Sequence, residues 1–127
     1  YDIKVPDPNT HVTTLSGGNQ QKVVLARELN AEPNLLVCSQ PPRGLDLGAV
    51  DSLHELLLSE RNRGCAIIFI STELSEVLSL SDKIVVMYKG QIMGMINGEK
   101  ASVGIIGEMM LGKNLEEIMV ERGINEQ

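Results

Sequence analysis

Short apolar runs alternate with longer amphipathic segments along this chain. Residues 35–38 and 65–70 are compact apolar runs bounded by polar or proline residues, a pattern typical of buried strands. Between them, residues 47–62 carry leucines at helical spacing, and Gly64 follows where a helix commonly ends. The order strand, helix, strand predicts an α/β unit with parallel strands joined by a helical crossover.

The remaining pattern predicts three more helices and two more strands. The helices are expected at about residues 18–30, 73–80 and 101–111, and the strands at 84–88 and 91–96. Ser16 is placed to cap the first helix, and Pro33 prevents its continuation. Lys89-Gly90 between the two strands predicts a tight hairpin turn. The charged segment after Gly112 is expected to fray.

Charge and cysteine count narrow the classes of function. The net charge of −6 over 127 residues gives no basic surface for nucleic acid or an anionic membrane. The apolar runs are shorter than the roughly 18 residues that a membrane-spanning helix needs. Cys38 and Cys65 are expected to be buried, reduced thiols, with a disulfide or a metal-binding pair as the alternative. Because only two histidines could add ligands, no metal site is predicted.

The most specific motif spans residues 15–22, which read Leu-Ser-Gly-Gly-Asn-Gln-Gln-Lys. Ser16 offers a hydroxyl, and two glycines let the chain approach a ligand closely at a helix amino end. The dipole of the helix favours an anion at that end, so a phosphate is the ligand that fits. The alternative is a generic Ser-Gly-Gly helix start with no ligand.

This string and its continuation over residues 23–29 resemble the signature motif of ATP-binding cassette (ABC) ATPases. Residues 35–38 resemble the Walker B strand of that family, residues 67–74 its switch region, and 81–92 a further shared segment. The resemblance implies an α/β, P-loop NTPase-like layered domain fragment, with a mostly parallel sheet, helices and a terminal hairpin, but without the P-loop portion. Residues 1–112 would be the C-terminal portion of an ABC ATPase domain, and 113–127 a flexible tail. The start at Tyr1, without Met, agrees with a piece of a longer protein.

The resemblance also implies roles for particular residues. Cassettes of this family pair head to tail, and each ATP site combines one cassette's P-loop with the other's signature. ATP would therefore be bound in trans by the signature residues, which are Leu15, Ser16, Gly17, Gly18, Asn19 and Gln20. Asp46 would be the D-loop aspartate that links the two sites. ATP and Mg²⁺ are the implied cofactors of the full dimer, and neither is expected to bind this chain tightly by itself.

Three departures from the family pattern concern the chain's own site. Ser39 stands where the family has its metal-binding aspartate, and a hydroxyl holds Mg²⁺ more weakly than a carboxylate. Gln40 stands in place of the catalytic glutamate and cannot accept a proton from water at neutral pH. Thr72 replaces the switch histidine. We expect no active catalytic residue here, and binding without hydrolysis; the alternative is an acid supplied from elsewhere.

The finer resemblance is to the second cassette of tandem ATPase subunits that serve importers of simple sugars or nucleosides. Residues 19–22, Arg43 and 71–74 carry it, and Gln40-Pro41 is similar to the nucleoside branch. It implies as partners the N-terminal cassette of the same polypeptide, transmembrane permease subunits and, indirectly, an extracytoplasmic solute-binding protein, at the cytoplasmic side of the membrane. The alternative is a regulatory or interaction domain that keeps a relic ABC fold.

Two further expectations concern particular segments. Residues 107–114 match the spacing of a P-loop up to Asn114, which lacks the required hydroxyl, so the end of a helix is the favoured interpretation. Without the P-loop strand, residues 35–38 or 65–70 should present an unpaired edge or an uncovered apolar face. Because such surfaces attract partners, we expect this chain to self-associate.

Overall fold

The computed structural model describes residues 1–41 and 47–124, which form two compact units. The first unit is Tyr1–Ser71 and the second begins at Thr72. Residues 42–46, which include Arg43 and Asp46, are not among the residues that the structure describes, so the predicted D-loop lies outside the described residues. No helix among the described residues is long and apolar enough to cross a membrane.

The first unit contains two helices and two parallel strands. Its elements are α1 (Gly17–Leu29), β1 (Leu35–Ser39), α2 (Leu47–Arg63) and β2 (Ala66–Ile70), preceded by a short 3-10 turn at Val12–Thr14. The strands pair in parallel, with Leu35 opposite Ala66 and Ser39 opposite Ile70. Gly64 ends α2 at φ 102°, a backbone conformation that glycine adopts without strain. The predicted strands, helices and parallel pairing are confirmed to within one or two residues.

The sheet of the first unit is covered on one face. Its inner face carries Leu36 and Cys38, and the core of the unit comprises Leu29, Leu36, Cys38, Leu53, Leu57 and Cys65. On the outer face, four aliphatic side chains are between 48% and 59% exposed, and these are Leu35, Val37, Ile68 and Ile70. The expected uncovered apolar face is therefore present, on both strands. We call these four residues the outer face of the first sheet.

The second unit packs three helices on a hairpin. Its elements are α3 (Leu74–Leu80), β3 (Lys83–Tyr88), β4 (Gln91–Asn97), α4 (Val103–Met110) and α5 (Leu115–Arg122), with a 3-10 turn at Gly98–Lys100. The strands are antiparallel, and both Lys89 and Gly90 have positive φ, at 47° and 78°. This is the signature of a type I′ turn, whose twist matches that of the flanking strands. The predicted hairpin is confirmed.

The segment after Gly112 differs from the flexible tail that the sequence predicts. Residues Leu115–Arg122 form α5, which begins with a capping box between Asn114 and Glu117 and ends at Gly123 with φ 65°. Ile118 is fully buried in the core of the second unit. The caps and this one buried side chain outweigh the charged composition, so the described part of the tail is folded.

The P-loop-like string at residues 107–114 lies at the end of one helix and the start of the next. Gly107 is inside α4, and no strand leads into it among the neighbouring described residues. Asn114 is the cap of α5. Since a P-loop connects a strand to a helix, the interpretation of this string as a helix end is confirmed.

Candidate functional site

The amino end of α1 is built around Ser16. Its side-chain Oγ accepts the backbone N–H of Asn19 at 3.4 Å, and its carbonyl accepts the backbone N–H of Gln20 at 2.9 Å. Its backbone is extended, with φ −59° and ψ 153°. These are the features of a serine N-cap, as the sequence predicts.

Two backbone amides at this helix end are available to a ligand. Gly17 and Gly18 have no acceptor for their N–H groups among the described residues, and Ser16 and Gly17 are exposed. A Cβ atom built on Gly17 would meet nothing within 4 Å. The first turn of this 13-residue helix holds no acidic residue, so the positive end of the dipole is unopposed. The arrangement suits an anion such as a phosphate.

The side-chain amides of Asn19 and Gln20 form hydrogen bonds around this helix end. Asn19 donates from Nδ2 to Ser16 Oγ at 3.1 Å and accepts the backbone N–H of Lys4 at Oδ1, also at 3.1 Å. Gln20 donates from Nε2 to the carbonyl oxygen of Leu15 at 2.9 Å. The role of Lys4 was missed by sequence reasoning, because a backbone donor fifteen residues away leaves no mark in composition or spacing.

The carboxyl end of β1 carries Ser39 and Gln40. Ser39 is exposed, and Gln40 has a positive φ of 50° while its backbone N–H donates to the carbonyl of Ile70 at 2.8 Å. Among the described residues, no group of three or more His, Cys, Asp or Glu side chains could hold a metal ion. Of the described side chains at this strand end, Ser39 and Gln40 offer no carboxylate oxygen, which is the ligand that Mg²⁺ prefers.

One contact joins α1 to the segment that follows β1. Gln21 donates from Nε2 to the carbonyl oxygen of Pro41 at 2.7 Å. The motif at residues 15–22 and the end of β1 are thus brought together within the first unit, by a residue that the sequence did not single out for this role. Thr72 belongs to the second unit, where it is exposed and precedes α3.

The two cysteines are buried and free, and the strand register separates them. Phe69 lies opposite Cys38, whereas Cys65 precedes Ala66, the partner of Leu35. Four residues of strand correspond to about 13 Å, well beyond the span of a disulfide. Burial, and to a smaller extent Cys65, raises the pKa of the Cys38 thiol. A buried thiol with a raised pKa is a poor nucleophile. The expectation of buried, reduced thiols agrees with the geometry.

A cavity of about 680 Å³ opens between α1, β1 and α2 in the first unit. Its lining is largely apolar and includes Leu25, Leu36 and Leu53, with Ser39 and Pro41 also on its wall. Ser16 and Gly17 are not among the lining residues. The cavity and the amino end of α1 are therefore separate features, and only the latter presents groups that suit a phosphate.

Solved ATP-binding cassettes share this architecture. The chain matches the ADP conformation of MJ1267, an ATP-binding cassette of an ABC transporter, with a TM-score of 0.63, 27% identity and coverage of 84% of this chain and 41% of that one. A nucleotide-free ATP-binding cassette from an ABC transporter gives 0.64 and 28%, with 89% and 42% covered. The fold is that of an ABC ATPase, and the chain matches the C-terminal part of the cassette.

Relatives of known name place the chain more narrowly. It is 41% identical over 117 residues to the guanosine import ATP-binding protein NupO of Bacillus subtilis (strain 168), covering 92% of this chain and 23% of that protein. The nucleoside import ATP-binding protein NupA of Lactococcus lactis is 42% identical over 92% of this chain and 23% of that protein. The ribose import ATP-binding protein RbsA of Clostridium perfringens is 43% identical over 113 residues, which are 89% of this chain and 23% of that protein. No family model matches the chain. The chain is a homologue of ABC import ATP-binding proteins for sugars and nucleosides, and it spans less than a quarter of the length of these relatives.

Proposed function

We propose that this chain is part of the ATP-binding protein of an ABC importer and supplies the signature motif to an ATP site completed by another cassette. The observation that carries the proposal is the open amino end of α1, where Ser16 is exposed and the N–H groups of Gly17 and Gly18 lack an acceptor among the described residues. Donors held in place before the reaction stabilise developing phosphate charge without further reorganisation. ATP is the ligand that matches this chemistry and the named relatives.

We further propose that the chain's own site, at the end of β1, binds nucleotide without hydrolysing it. Ser39 and Gln40 provide no carboxylate to hold Mg²⁺ or to accept a proton from water, and the described residues around them offer no metal-ligand cluster. Thr72, which stands in place of the switch histidine, also lacks an imidazole that could contact the phosphate. ATP hydrolysis would then belong to the composite site that this signature completes, with Mg²⁺ bound by the other cassette.

The names of the relatives support the proposed solute class. Proteins named for guanosine, nucleoside and ribose import match the chain at similar identity, so a nucleoside or a simple sugar is the proposed solute class. We also propose, from the resemblance of residues 19–22 and 71–74, that the chain is part of the second cassette of a tandem subunit and pairs with the N-terminal cassette. That subunit would lie beneath a transmembrane permease at the cytoplasmic side, fed by an extracytoplasmic solute-binding protein.

Gly17→Asp in the assembled importer tests the role of the signature. An aspartate in the first turn favours the helix dipole, so the fold should tolerate the change, while its charge repels a phosphate. We expect steady-state ATP turnover and solute uptake to fall at least tenfold. Gly17→Asn is the matched control, because it has the same size without the charge and should lose less activity.

Both variants need a thermal melting curve within a few degrees of the parent protein, so that a loss of activity cannot come from unfolding. Near-normal turnover with Gly17→Asp would contradict the proposal that this helix end faces the active nucleotide. It would favour instead a regulatory or interaction domain that keeps the ABC fold.

A further inference from the structure

The Ser16 hydroxyl receives two hydrogen bonds from a single residue. Asn19 donates to Ser16 Oγ from its backbone N–H at 3.4 Å and from its side-chain Nδ2 at 3.1 Å. A serine oxygen has two lone pairs that can accept hydrogen bonds and one hydrogen that it can donate. With both acceptor positions occupied by Asn19, the hydroxyl hydrogen is the part of this group that is left to donate to a ligand.

The second of these bonds is not needed for capping. Ser102 caps α4 by accepting the backbone N–H of Ile105 at 3.3 Å, and the side chain of Ile105 has no donor. At the corresponding position of α1, three residues after Ser16, Asn19 has a side-chain amide that can donate a second hydrogen bond. The extra bond at Ser16 therefore has a consequence beyond the helix start, which is to restrict the rotation of the hydroxyl.

The orientation of the Asn19 amide is set by the chain's first residues. The backbone N–H of Lys4 donates to Asn19 at 3.1 Å, and a backbone N–H can only donate, so the atom it meets must be the carbonyl oxygen Oδ1. The NH₂ group then faces Ser16. One turn further along α1, Lys22 donates from Nζ to the carbonyl oxygen of Asp2 at 3.1 Å, which holds the same segment along the helix.

We propose that Asn19 is a positioning residue that presents the Ser16 hydroxyl as a hydrogen donor to the nucleotide phosphate, and that the backbone N–H of Lys4 sets the orientation of Asn19. This inference rests on the proposed function. Asn19 acts through Ser16 and need not touch the ligand. A hydroxyl held in one of its three staggered positions avoids a penalty of about threefold in population relative to a freely rotating one.

A double-mutant cycle in the assembled importer tests the inference. Asn19→Ala should lower kcat/KM for ATP about threefold, and Ser16→Ala should lower it more, because the donor itself is lost. In the Ser16→Ala background, adding Asn19→Ala should change kcat/KM by less than about 1.5-fold, since no hydroxyl remains to be oriented. Asn19→Asp should cost more than Asn19→Ala, because the hydroxyl would donate to the carboxylate instead of the phosphate.

Substitutions of Lys4 provide a second, independent test of the inference. Lys4→Pro removes the backbone N–H and should reproduce the loss seen with Asn19→Ala, whereas Lys4→Ala keeps the N–H and should cost less than Lys4→Pro. Thermal melting of all variants separates these effects from unfolding. A merely structural role of Asn19 would lower the melting temperature in both serine backgrounds and leave the coupling in kcat/KM at zero.

The outcomes separate this inference from the function on which it rests. If Ser16→Ala lowers kcat/KM and the effect of Asn19→Ala simply adds to it, the inference is overturned. The proposed role of the signature would then still stand. Equal effects of Lys4→Pro and Lys4→Ala would overturn the part assigned to the Lys4 backbone. A harmless Ser16→Ala would overturn the proposed role of this serine and the inference together.

Discussion

Gln40 illustrates how a single residue combines backbone and side-chain constraints. Its positive φ of 50° and its N–H bond to Ile70 belong to the backbone at the end of β1. A left-handed conformation costs a residue with a side chain about 1 kcal/mol, which the surrounding strands must offset. Because neither feature involves the side-chain amide, exchanging that amide for a carboxylate leaves the geometry of the strand end intact.

Gln40→Glu should therefore leave total ATP turnover in the assembled importer nearly unchanged. The substitution supplies a carboxylate, but Ser39 still offers only a hydroxyl to a metal ion and Thr72 still lacks an imidazole. The measurement is steady-state phosphate release, with Gln40→Ala as the control that removes the side chain. A twofold or larger rise with glutamate would mean that one residue alone keeps the site inactive.

Helix α5 shows how a short charged element is held. Ile118 is buried, and the Arg122 guanidinium and the Lys113 ammonium hold the pKa of Glu108, on α4, below its ordinary value through hydrogen bonds. Arg122 approaches Glu108 at 2.5 Å and Lys113 at 3.1 Å. These ion pairs are partly exposed, so most of the attachment of α5 comes from the apolar contacts of Ile118 and of the partly buried Leu115.

Truncation of Ile118 measures this attachment. Ile118→Ala should destabilise the chain by about 2–5 kcal/mol, because it removes a buried side chain and leaves a cavity. Val120, on the same helix, is 82% exposed, and Val120→Ala should change the free energy of unfolding by less than about 0.5 kcal/mol. Urea denaturation of the two variants measures both free energies of unfolding. Equal and small effects would mean that α5 does not contribute to the folded unit.

Each unit of the molecule has its own core, and the first has one open sheet face. The outer face of the first sheet carries Leu35, Val37, Ile68 and Ile70 at roughly half exposure. Val37 and Ile68 are directly paired across the two strands, so the exposed apolar surface is continuous. A continuous apolar patch of this kind is unusual on a monomeric soluble protein and tends to find a partner.

This chain should therefore self-associate in solution through that face. Light scattering at micromolar concentration should give a mass above the 13.8 kDa of the monomer. The double substitution Val37→Thr and Ile68→Thr keeps β-branched residues in both strands while making the surface polar, and it should shift the mass toward the monomer. Val24→Thr, at an exposed position on α1, is the control. A clean monomer for the parent chain would contradict the prediction.

Much of the fold could be predicted because its signals are local. Leucine spacing marked α2, the apolar runs marked β1 and β2, and Lys89-Gly90 marked the hairpin. The prediction failed at α5, because charge was weighed above the capping pair Asn114 and Glu117 and the single buried Ile118. Ile118 and the partly buried Leu115, at the right positions, anchor an eight-residue helix, and an average over composition does not show them.

The features of the candidate site also divide into local ones and ones that depend on tertiary contacts. The sequence by itself determined the N-cap at Ser16, the open glycines after it and the missing carboxylates at Ser39 and Gln40, since each is a property of the residues or of their nearest neighbours. Only the tertiary structure decided that Lys4 meets Asn19 and that Gln21 meets Pro41, at separations of fifteen and twenty residues. Such contacts depend on how the chain returns to itself, and the energy of one hydrogen bond is too small to leave a pattern in the sequence.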